Sequence, residues 1–186
     1  GSKYNDVYFA TMTMYETGLP VSDVAFDKPP PMKNILGKVL SDSGLQQFRC
    51  AETEKFPHIT FFFNDYKEEP FKGEERLLVP SPTDVATYDQ KPQMSAAEVC
   101  QGVVDKLETA PCPQVLIVNF ANADMVGHTG NLKAIIKAVE VVDECCGRII
   151  DATLAASGTL LITADHGNAE RTWNVELGCP DTAHTT

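Results

Sequence analysis

The chain has 186 residues, of which 43% are hydrophobic, and a formal net charge of −11. This composition is typical of an ordinary globular domain that needs neither disulfides nor a structural metal to bury a core. The acidic balance argues against a nucleic-acid partner, because proteins that bind a phosphate backbone usually present a basic surface. The six cysteines show no C-x-x-C spacing, and no apolar run reaches the ~20 residues that span a bilayer. The sequence therefore predicts a soluble cytoplasmic protein with reduced thiols that binds neither nucleic acid nor membrane.

The first 30 residues are predicted to contain one strand and a linker. An apolar run over residues 6–12 indicates a buried strand. Residues 17–32 include Gly18, Pro20 and three successive prolines, a composition that favours an extended crossing segment. We therefore expect a domain boundary near residue 30.

Helices and strands are predicted to alternate after that boundary. Asn34 is expected to cap a short helix over residues 35–41. Strands are predicted at residues 45–51 and 59–63. A polar surface excursion over residues 64–75 gives way to Leu77-Leu-Val79 and then to a loop at Pro80-Ser-Pro82. Ser95 and Glu98 form an S-x-x-E pattern, which predicts a capping box ahead of a helix with apolar residues at helical spacing.

A strand, a long helix and a second strand are predicted in the last third of the chain. The strands are the apolar runs at residues 115–120 and 160–163, and the helix covers residues 132–156 before Gly158. Strands that are apolar on both faces indicate a parallel sheet covered by helices, so the predicted fold class is α/β. Ligands of such sheets bind beyond the carboxyl ends of the strands.

Carboxylates and imidazoles follow both of these strands. Asp124 and His128, four residues apart, come after the first strand, and Asp165 and His166 come after the second. His184 adds a third imidazole in a segment rich in turn formers. A lone His or Asp at a strand end more often binds a loop than an ion, but an ensemble at two strand ends favours a metal site. The mixed oxygen and nitrogen set suits Mn²⁺, Zn²⁺ or Co²⁺ better than Ca²⁺. Five ligands are too many for one open catalytic ion and too few for two, so part of the site is expected to be missing.

Several short motifs resemble one enzyme superfamily and, within it, one family. Asp165-His166-Gly167-Asn168, with Asp124, His128 and His184, resembles the alkaline-phosphatase superfamily. From about Leu36 onward the chain is similar to the cofactor-independent (2,3-bisphosphoglycerate-independent) phosphoglycerate mutases. The motifs that carry this narrower resemblance are Ala51-Glu-Thr-Glu-Lys-Phe56, His58-Ile-Thr-Phe-Phe-Phe-Asn64, Pro80-Ser-Pro82, Ala86-Thr-Tyr-Asp89, Met94-Ser-Ala96 and Asp124-Met-Val-Gly-His-Thr-Gly130.

The resemblance implies a fold, a domain organisation and a reaction. The fold is an alkaline-phosphatase-like three-layer α/β/α sheet, mostly parallel and incomplete in this chain. Residues 1–30 would end a transferase domain and form an interdomain linker, and residues 31–186 would be the C-terminal part of the metal-binding phosphatase domain. The reaction is the interconversion of 3- and 2-phosphoglycerate in glycolysis and gluconeogenesis, through a phosphoserine intermediate. The full-length enzyme would be a monomeric isomerase.

The resemblance also assigns a cofactor set and residue roles. It implies two divalent ions, with Mn²⁺ preferred and Mg²⁺, Co²⁺ or Zn²⁺ as alternatives, and no requirement for 2,3-bisphosphoglycerate. One ion is assigned to Asp124, His128 and His184, and the other to Asp165 and His166. Lys55 is assigned to the transferred phosphate, although residue type alone favours a solvated surface lysine. His58 is left outside the site.

The family's nucleophilic serine has no counterpart among these residues, so no catalytic residue is assigned and the isolated chain is expected to be inactive. Two other functions stay open. The chain could belong to another phosphomutase or to a phosphodiesterase of the same superfamily, which would share the Asp-His-Gly signature but not the Ala51-Glu-Thr-Glu-Lys55 motif. It could also be a non-catalytic metal-binding domain.

Overall fold

The computed structural model describes residues 7–16, 18–27 and 29–185, and the chain divides into two compact units between Lys33 and Asn34. The first unit contains a parallel pair, β1 (Ala10–Thr13) and β2 (Asp23–Phe26). The strand predicted over residues 6–12 thus begins later, and Tyr8, Phe9 and Met12 are exposed, so the expected burial is wrong. The predicted linker contains β2. Residues 6, 17 and 28 of these predictions lie outside the described residues, and the assignment of residues 1–30 to another domain stays a prediction.

The second unit contains a three-stranded parallel sheet and five α-helices among its described residues. The sheet order is β4-β3-β5, with β3 in the centre. No helix in the described part of the chain combines the length and the apolar character needed to cross a membrane. In chain order the elements are α1 (Leu36–Asp42), β3 (Gln47–Glu52), α2 (Phe56–Ile59), β4 (Glu74–Val79), a 3-10 turn (Tyr88–Gln90), α3 (Ala96–Glu108), β5 (Val115–Asn119), α4 (Asn122–Gly127), α5 (Leu132–Ala155), β6 (Trp173–Asn174) and β7 (Cys179–Pro180).

Alternate side chains of the central strand show that helices cover both faces of the sheet. Phe48 and Cys50 pack into a hydrophobic core with side chains of α3 and α5. Gln47 and Arg49, on the opposite face, donate hydrogen bonds of 2.9 and 2.8 Å to backbone carbonyls of α1 and α2. Successive residues of a strand point to opposite faces, so these contacts define three layers. The predicted α/β class with a parallel sheet is confirmed.

Two apolar runs that were predicted as strands adopt other conformations. Ile59 ends α2, and residues 60–66 form turns in which the rings of Phe61, Phe62 and Tyr66 pack edge to face. Residues 160–163 have no strand assignment, and Leu161 is 89% exposed. No strand in the described ranges pairs with this segment, and an apolar run without a neighbouring strand has no backbone partners with which to form a sheet. Both strand predictions are therefore wrong for this chain.

The helix predictions are confirmed in position, but two predicted caps are wrong. The first helix begins at Leu36 after Ile35, without a side-chain cap from Asn34. Ser95 directly precedes α3 as expected, yet its hydroxyl donates to the Pro80 carbonyl at 2.7 Å instead of forming a capping box. For α5, the side chain of Asn131 accepts a hydrogen bond from the backbone at the start of the helix.

Candidate metal site

A short helix places the first two predicted ligands at the carboxyl end of the sheet. Asp124 lies in α4, which follows β5 after two residues, and His128 is the C-cap of that helix. The intervening Val126 is fully buried in a hydrophobic cluster that includes Ile135 of α5. Burying a valine of this kind stabilises the packed arrangement by roughly 1.5–3 kcal/mol. Asp124 and His128 are thus separated by one turn of this helix.

The third imidazole reaches the site because the chain turns back on itself after Asn168. The strands β6 and β7 form an antiparallel pair, and Gly167 and Thr185 then form an isolated antiparallel bridge with hydrogen bonds of 3.0 and 2.9 Å. This bridge stacks the rings of His166 and His184 with 3.8 Å between their centroids. A side chain at position 167 would collide with Thr185 and Glu170. Gly167 does not adopt a left-handed conformation, and a larger residue there would require the ends of these two side chains to move.

Three of the predicted ligands converge on a single point. His184 Nε2 lies 2.9 Å and His128 Nε2 lies 3.1 Å from Asp124 Oδ1, and the two nitrogens are 3.1 Å apart. Ligand atoms that share one ion at about 2.0–2.2 Å are separated by about 3 Å, so this spacing fits a divalent cation. A ring nitrogen of His166 is also close, within 4.8 Å of ligand atoms of Asp124 and His184.

Backbone carbonyls orient two of the imidazoles for ligation. His128 Nδ1 lies 2.7 Å from the Thr182 carbonyl, and His166 Nδ1 lies 3.3 Å from the Gly167 carbonyl. Because a carbonyl oxygen only accepts hydrogen bonds, these contacts favour the tautomer of the neutral ring that carries its proton on Nδ1 and presents Nε2 to a metal. Metal-ligating histidines are usually held by such a second contact.

The Asp124 carboxylate is held by two further side chains. Lys55 Nζ donates to Oδ2 at 2.5 Å, and the two side chains are only 7% and 13% exposed. Asn168 Nδ2 donates to Oδ1 at 2.8 Å and to the Asp124 backbone carbonyl at 3.2 Å. Burial alone would raise the pKa of Asp124, but the hydrogen bonds from Lys55 and Asn168, with the nearby charges, lower it to about 2. Lys55 is thus a buried partner of the cluster and not the solvated lysine that residue type alone favoured.

Asp165 is the one predicted ligand that does not join the others. Its side chain is 58% exposed, and one of its oxygens accepts from the following backbone N–H at 3.2 Å. The other oxygen lies 3.6 Å from His166 Nε2. The structure therefore brings together Asp124, His128, His166 and His184, whereas Asp165 lies at the exposed edge of the cluster. That these residues bind metal stays a prediction.

Two residues that the sequence-based site left out also lie near the cluster. Asn168 ends the Asp-His-Gly-Asn motif, so its position in that motif was the available signal. His58 lies in α2, where its ring packs edge to face on Phe62 at 5.4 Å. Partial burial and the charge of Lys55 lower the pKa of His58, and the carboxylate of Asp165 opposes that shift. The charges of the site therefore reach His58, although this residue was left outside the predicted site.

Comparison with known proteins supports the fold and the family. Residues 8–186 match the model of the Metalloenzyme superfamily. The 2,3-bisphosphoglycerate-independent phosphoglycerate mutase of Rhodopirellula baltica is 60% identical over 186 residues, which are all of this chain and 34% of that protein. The mutase of the same name from Moorella thermoacetica is 53% identical over 181 residues, 97% of this chain and 34% of that protein.

A crystal structure of Leishmania mexicana phosphoglycerate mutase at low cobalt concentration has the same fold. It superposes with a TM-score of 0.82 at 34% sequence identity, over 95% of this chain and 34% of that chain. The predicted alkaline-phosphatase-like α/β fold is confirmed. The chain spans about a third of the length of the relatives that it matches.

Proposed function

Because the chain belongs to the Metalloenzyme superfamily, we propose that it is the C-terminal part of a phosphoglycerate mutase that works without 2,3-bisphosphoglycerate. The parent protein interconverts 3- and 2-phosphoglycerate in glycolysis and gluconeogenesis. Residues 31–186 belong to its metal-binding phosphatase domain, and residues 1–30 are the end of its transferase domain and the linker. The similarity to mutases of two bacteria supports this assignment.

One observation carries the proposal: Asp124, His128 and His184 direct one oxygen and two nitrogens to a common point, with a buried ammonium beside them. The Lys55 ammonium has three N–H donors, and Asp124 accepts one of them. The others are available to oxygens of a phosphoryl group, to which a charge-assisted hydrogen bond is strong. In a chain with a net charge of −11, this ammonium gives an anionic substrate a local positive partner.

Two divalent cations complete the proposed site, and Mn²⁺ is preferred to Mg²⁺, Co²⁺ or Zn²⁺. Asp124, His128 and His184 hold the first ion, and Asp165 and His166 contribute to the second. When bound, the ions supply positive charge that stabilises the phosphoryl oxygens and the attacking or leaving alkoxide. The carbonyl contacts of His128 and His166 keep the correct tautomers for this role.

The nucleophile of the proposed reaction is a serine in another part of the parent protein. Near the described site, the Ser81 hydroxyl donates to Glu52 and the Ser95 hydroxyl donates to Pro80. Neither hydroxyl is directed at the cluster of imidazoles, so the phosphoserine intermediate is assigned elsewhere. The isolated chain therefore lacks turnover. The parent enzyme is a cytoplasmic monomer whose substrate is a small phosphoglycerate, without nucleic-acid or membrane partners.

The proposal is tested with the full-length protein, by measuring conversion of 3-phosphoglycerate in the presence of Mn²⁺. Asp124→Ala should abolish turnover, because it removes the oxygen that both imidazoles approach. Asp84→Ala, which removes an exposed carboxylate paired with Lys91, should leave turnover unchanged.

Hydrolysis of phosphate diesters without isomerisation would indicate that the protein is a phosphodiesterase and not a mutase. Metal binding without any turnover would indicate a non-catalytic domain. Metal-dependent isomerisation of another sugar phosphate would indicate a different phosphomutase.

A further inference from the structure

The last residue of β3 is a fully buried carboxylate that the proposed reaction does not use. Glu52 has no exposed surface. One of its oxygens accepts the backbone N–H of Ser95 at 3.0 Å, and the other accepts the Ser81 hydroxyl at 3.1 Å. Ser95 precedes α3 and Ser81 follows β4, so this carboxylate joins the ends of three different elements.

A second set of hydrogen bonds surrounds these contacts. The Ser95 hydroxyl donates to the Pro80 carbonyl at 2.7 Å, and the Ser81 N–H donates to the Thr53 hydroxyl at 3.1 Å. The Thr53 N–H in turn donates to the Val79 carbonyl at 3.0 Å. This network lies at the carboxyl end of the sheet, the same end as the candidate metal site.

The network leads directly to the ammonium of that site. The Lys55 N–H donates to the Glu52 carbonyl at 3.0 Å, which closes a turn over residues 52–55. From this turn the side chain of Lys55 reaches Asp124 Oδ2. We propose that Glu52 is a positioning residue, whose carboxylate fixes the turn over residues 52–55 and thereby holds the Lys55 ammonium against Asp124.

The chemistry of this position argues against simple space filling. Burial raises the pKa of Glu52 to about 7, although the hydrogen bonds from Ser95 and Ser81 lower it. The neighbouring carboxylates of Glu98 and Glu54 raise it as well. A buried group of this kind destabilises the fold when it is ionised, and an apolar side chain would avoid that cost but leave both donors unpaired. One of the donors, Ser81, also contacts Thr53 in the turn that carries Lys55, so the carboxylate acts on the geometry of the site.

Two further carboxylates and a tyrosine near Glu52 define its electrostatic surroundings. Glu54, in the same turn, accepts a hydrogen bond from the Tyr88 hydroxyl at 2.6 Å, and Glu98 lies in the first turn of α3. Burial and the bond to Glu54 raise the pKa of Tyr88 to about 12. Glu52 therefore faces two carboxylates and one neutral phenol, in addition to its two donors.

Two substitutions separate the positioning role from general stability. Glu52→Gln keeps both contacts, because its amide oxygen can accept from Ser95 and its NH₂ can donate to the Ser81 hydroxyl. Glu52→Ala removes both. In the full-length protein, Glu52→Ala should lower kcat/KM for phosphoglycerate at least about tenfold, whereas Glu52→Gln should stay within about threefold of the wild type. Ile149→Ala, a substitution in the hydrophobic core, controls for lost stability.

A double-mutant cycle tests whether Glu52 acts through Lys55. If it does, Glu52→Ala should lower kcat/KM by less than about twofold in a Lys55→Met background, because the group that it positions is already gone. An equal loss in both backgrounds would overturn the proposal. If Glu52→Ala does not fold, Ser81→Ala takes its place, with a loss of about threefold that must likewise disappear in the Lys55→Met background.

The importance of Lys55 for turnover rests on the proposed function, so a separate readout is needed. Amide hydrogen exchange over residues 53–59 should become at least about tenfold faster in Glu52→Ala and stay unchanged in Glu52→Gln. A protein without mutase activity that shows this pattern would defeat the proposed function alone. Unchanged exchange in Glu52→Ala would defeat the positioning role alone.

Discussion

The two loops that carry an Asp and a His differ sharply in how they hold these residues. The first loop, after β5, contains the helix α4, which packs on α5. Its Asp124 is largely buried and is hydrogen-bonded to Lys55 and Asn168. The second loop carries Asp165 on an exposed bend, 58% accessible, beside a segment that pairs with no strand in the described part of the chain. The same pair of residue types therefore gives one ordered set of ligands and one exposed carboxylate.

The difference shows that a strand end supplies a location, whereas neighbouring elements supply the rigidity. Ligands that are fixed before the ion arrives need less ordering on binding, and this raises affinity. We therefore expect the first loop, with His184, to bind one ion in this chain. The second ion should depend on groups supplied by other parts of the parent protein.

Asp124→Asn is the strongest test of this difference. The amide loses the charge that a divalent ion requires and leaves the ammonium of Lys55 without a buried carboxylate partner. Mn²⁺ affinity, measured by isothermal titration calorimetry, should fall at least about 100-fold, which corresponds to about 2.7 kcal/mol. An affinity within threefold of the wild type would show that the first loop is not the primary site.

The stability of the metal-free protein should fall in acid because of Asp124. Its folded pKa, about 2, is below the usual value of 3.8, so the carboxylate stabilises the fold above about pH 4. That contribution, on the order of 2 kcal/mol, is lost as the pH falls towards 2. Thermal denaturation between pH 5 and pH 2.5 should show the wild type losing its advantage over Asp124→Asn. A constant difference across this range would contradict the lowered pKa.

Asn168→Ala should lower the affinity for the first ion by a smaller factor. Asn168 connects the two loops by donating to both the side chain and the backbone of Asp124. Loss of such an outer contact typically lowers metal affinity 10- to 100-fold, and we expect about tenfold because the contacts of Lys55 and the imidazoles persist. Gln101→Ala, which removes an exposed amide from α3, serves as the control in the same titration. Equal affinities of the two variants would remove Asn168 from the site.

Asp165→Ala should have the smallest effect on the affinity for the first ion. Its exposed carboxylate approaches His166 at 3.6 Å and stands apart from the cluster of Asp124 with His184. The affinity for the first Mn²⁺ should change by less than about twofold in the same calorimetric titration. A loss as large as that of Asp124→Asn would mean that both loops bind the same ion.

The sequence predicted those elements that are determined by local pattern. Apolar residues at helical spacing, such as those at positions 99 and 103, predicted α3. The same spacing along residues 132–156 predicted α5 nearly in full. Apolar runs were a weaker guide, because a strand needs a partner and a helix does not. Residues 115–119 pair with β3 as a strand, whereas residues 59–63 and 160–163 lie outside the sheet.

The candidate site shows the same division. Four of its predicted ligands are brought together, and their residue types and motifs were visible in the sequence. The burial of Lys55, the carbonyl contact of His128 and the role of Asn168 were not visible, because they depend on residues between 44 and 69 positions apart in the chain that meet only after folding.

The sequence by itself determined the fold class, the family resemblance and the residues around which a metal site forms, because motif order and hydrophobic periodicity are local properties. Only the tertiary structure decided which of those residues converge. The bridge between Gly167 and Thr185 carries His184 to His166, and the packing of α4 on α5 orients Asp124. The distances that make a metal site plausible are set by such contacts between distant segments, and sequence spacing does not encode them.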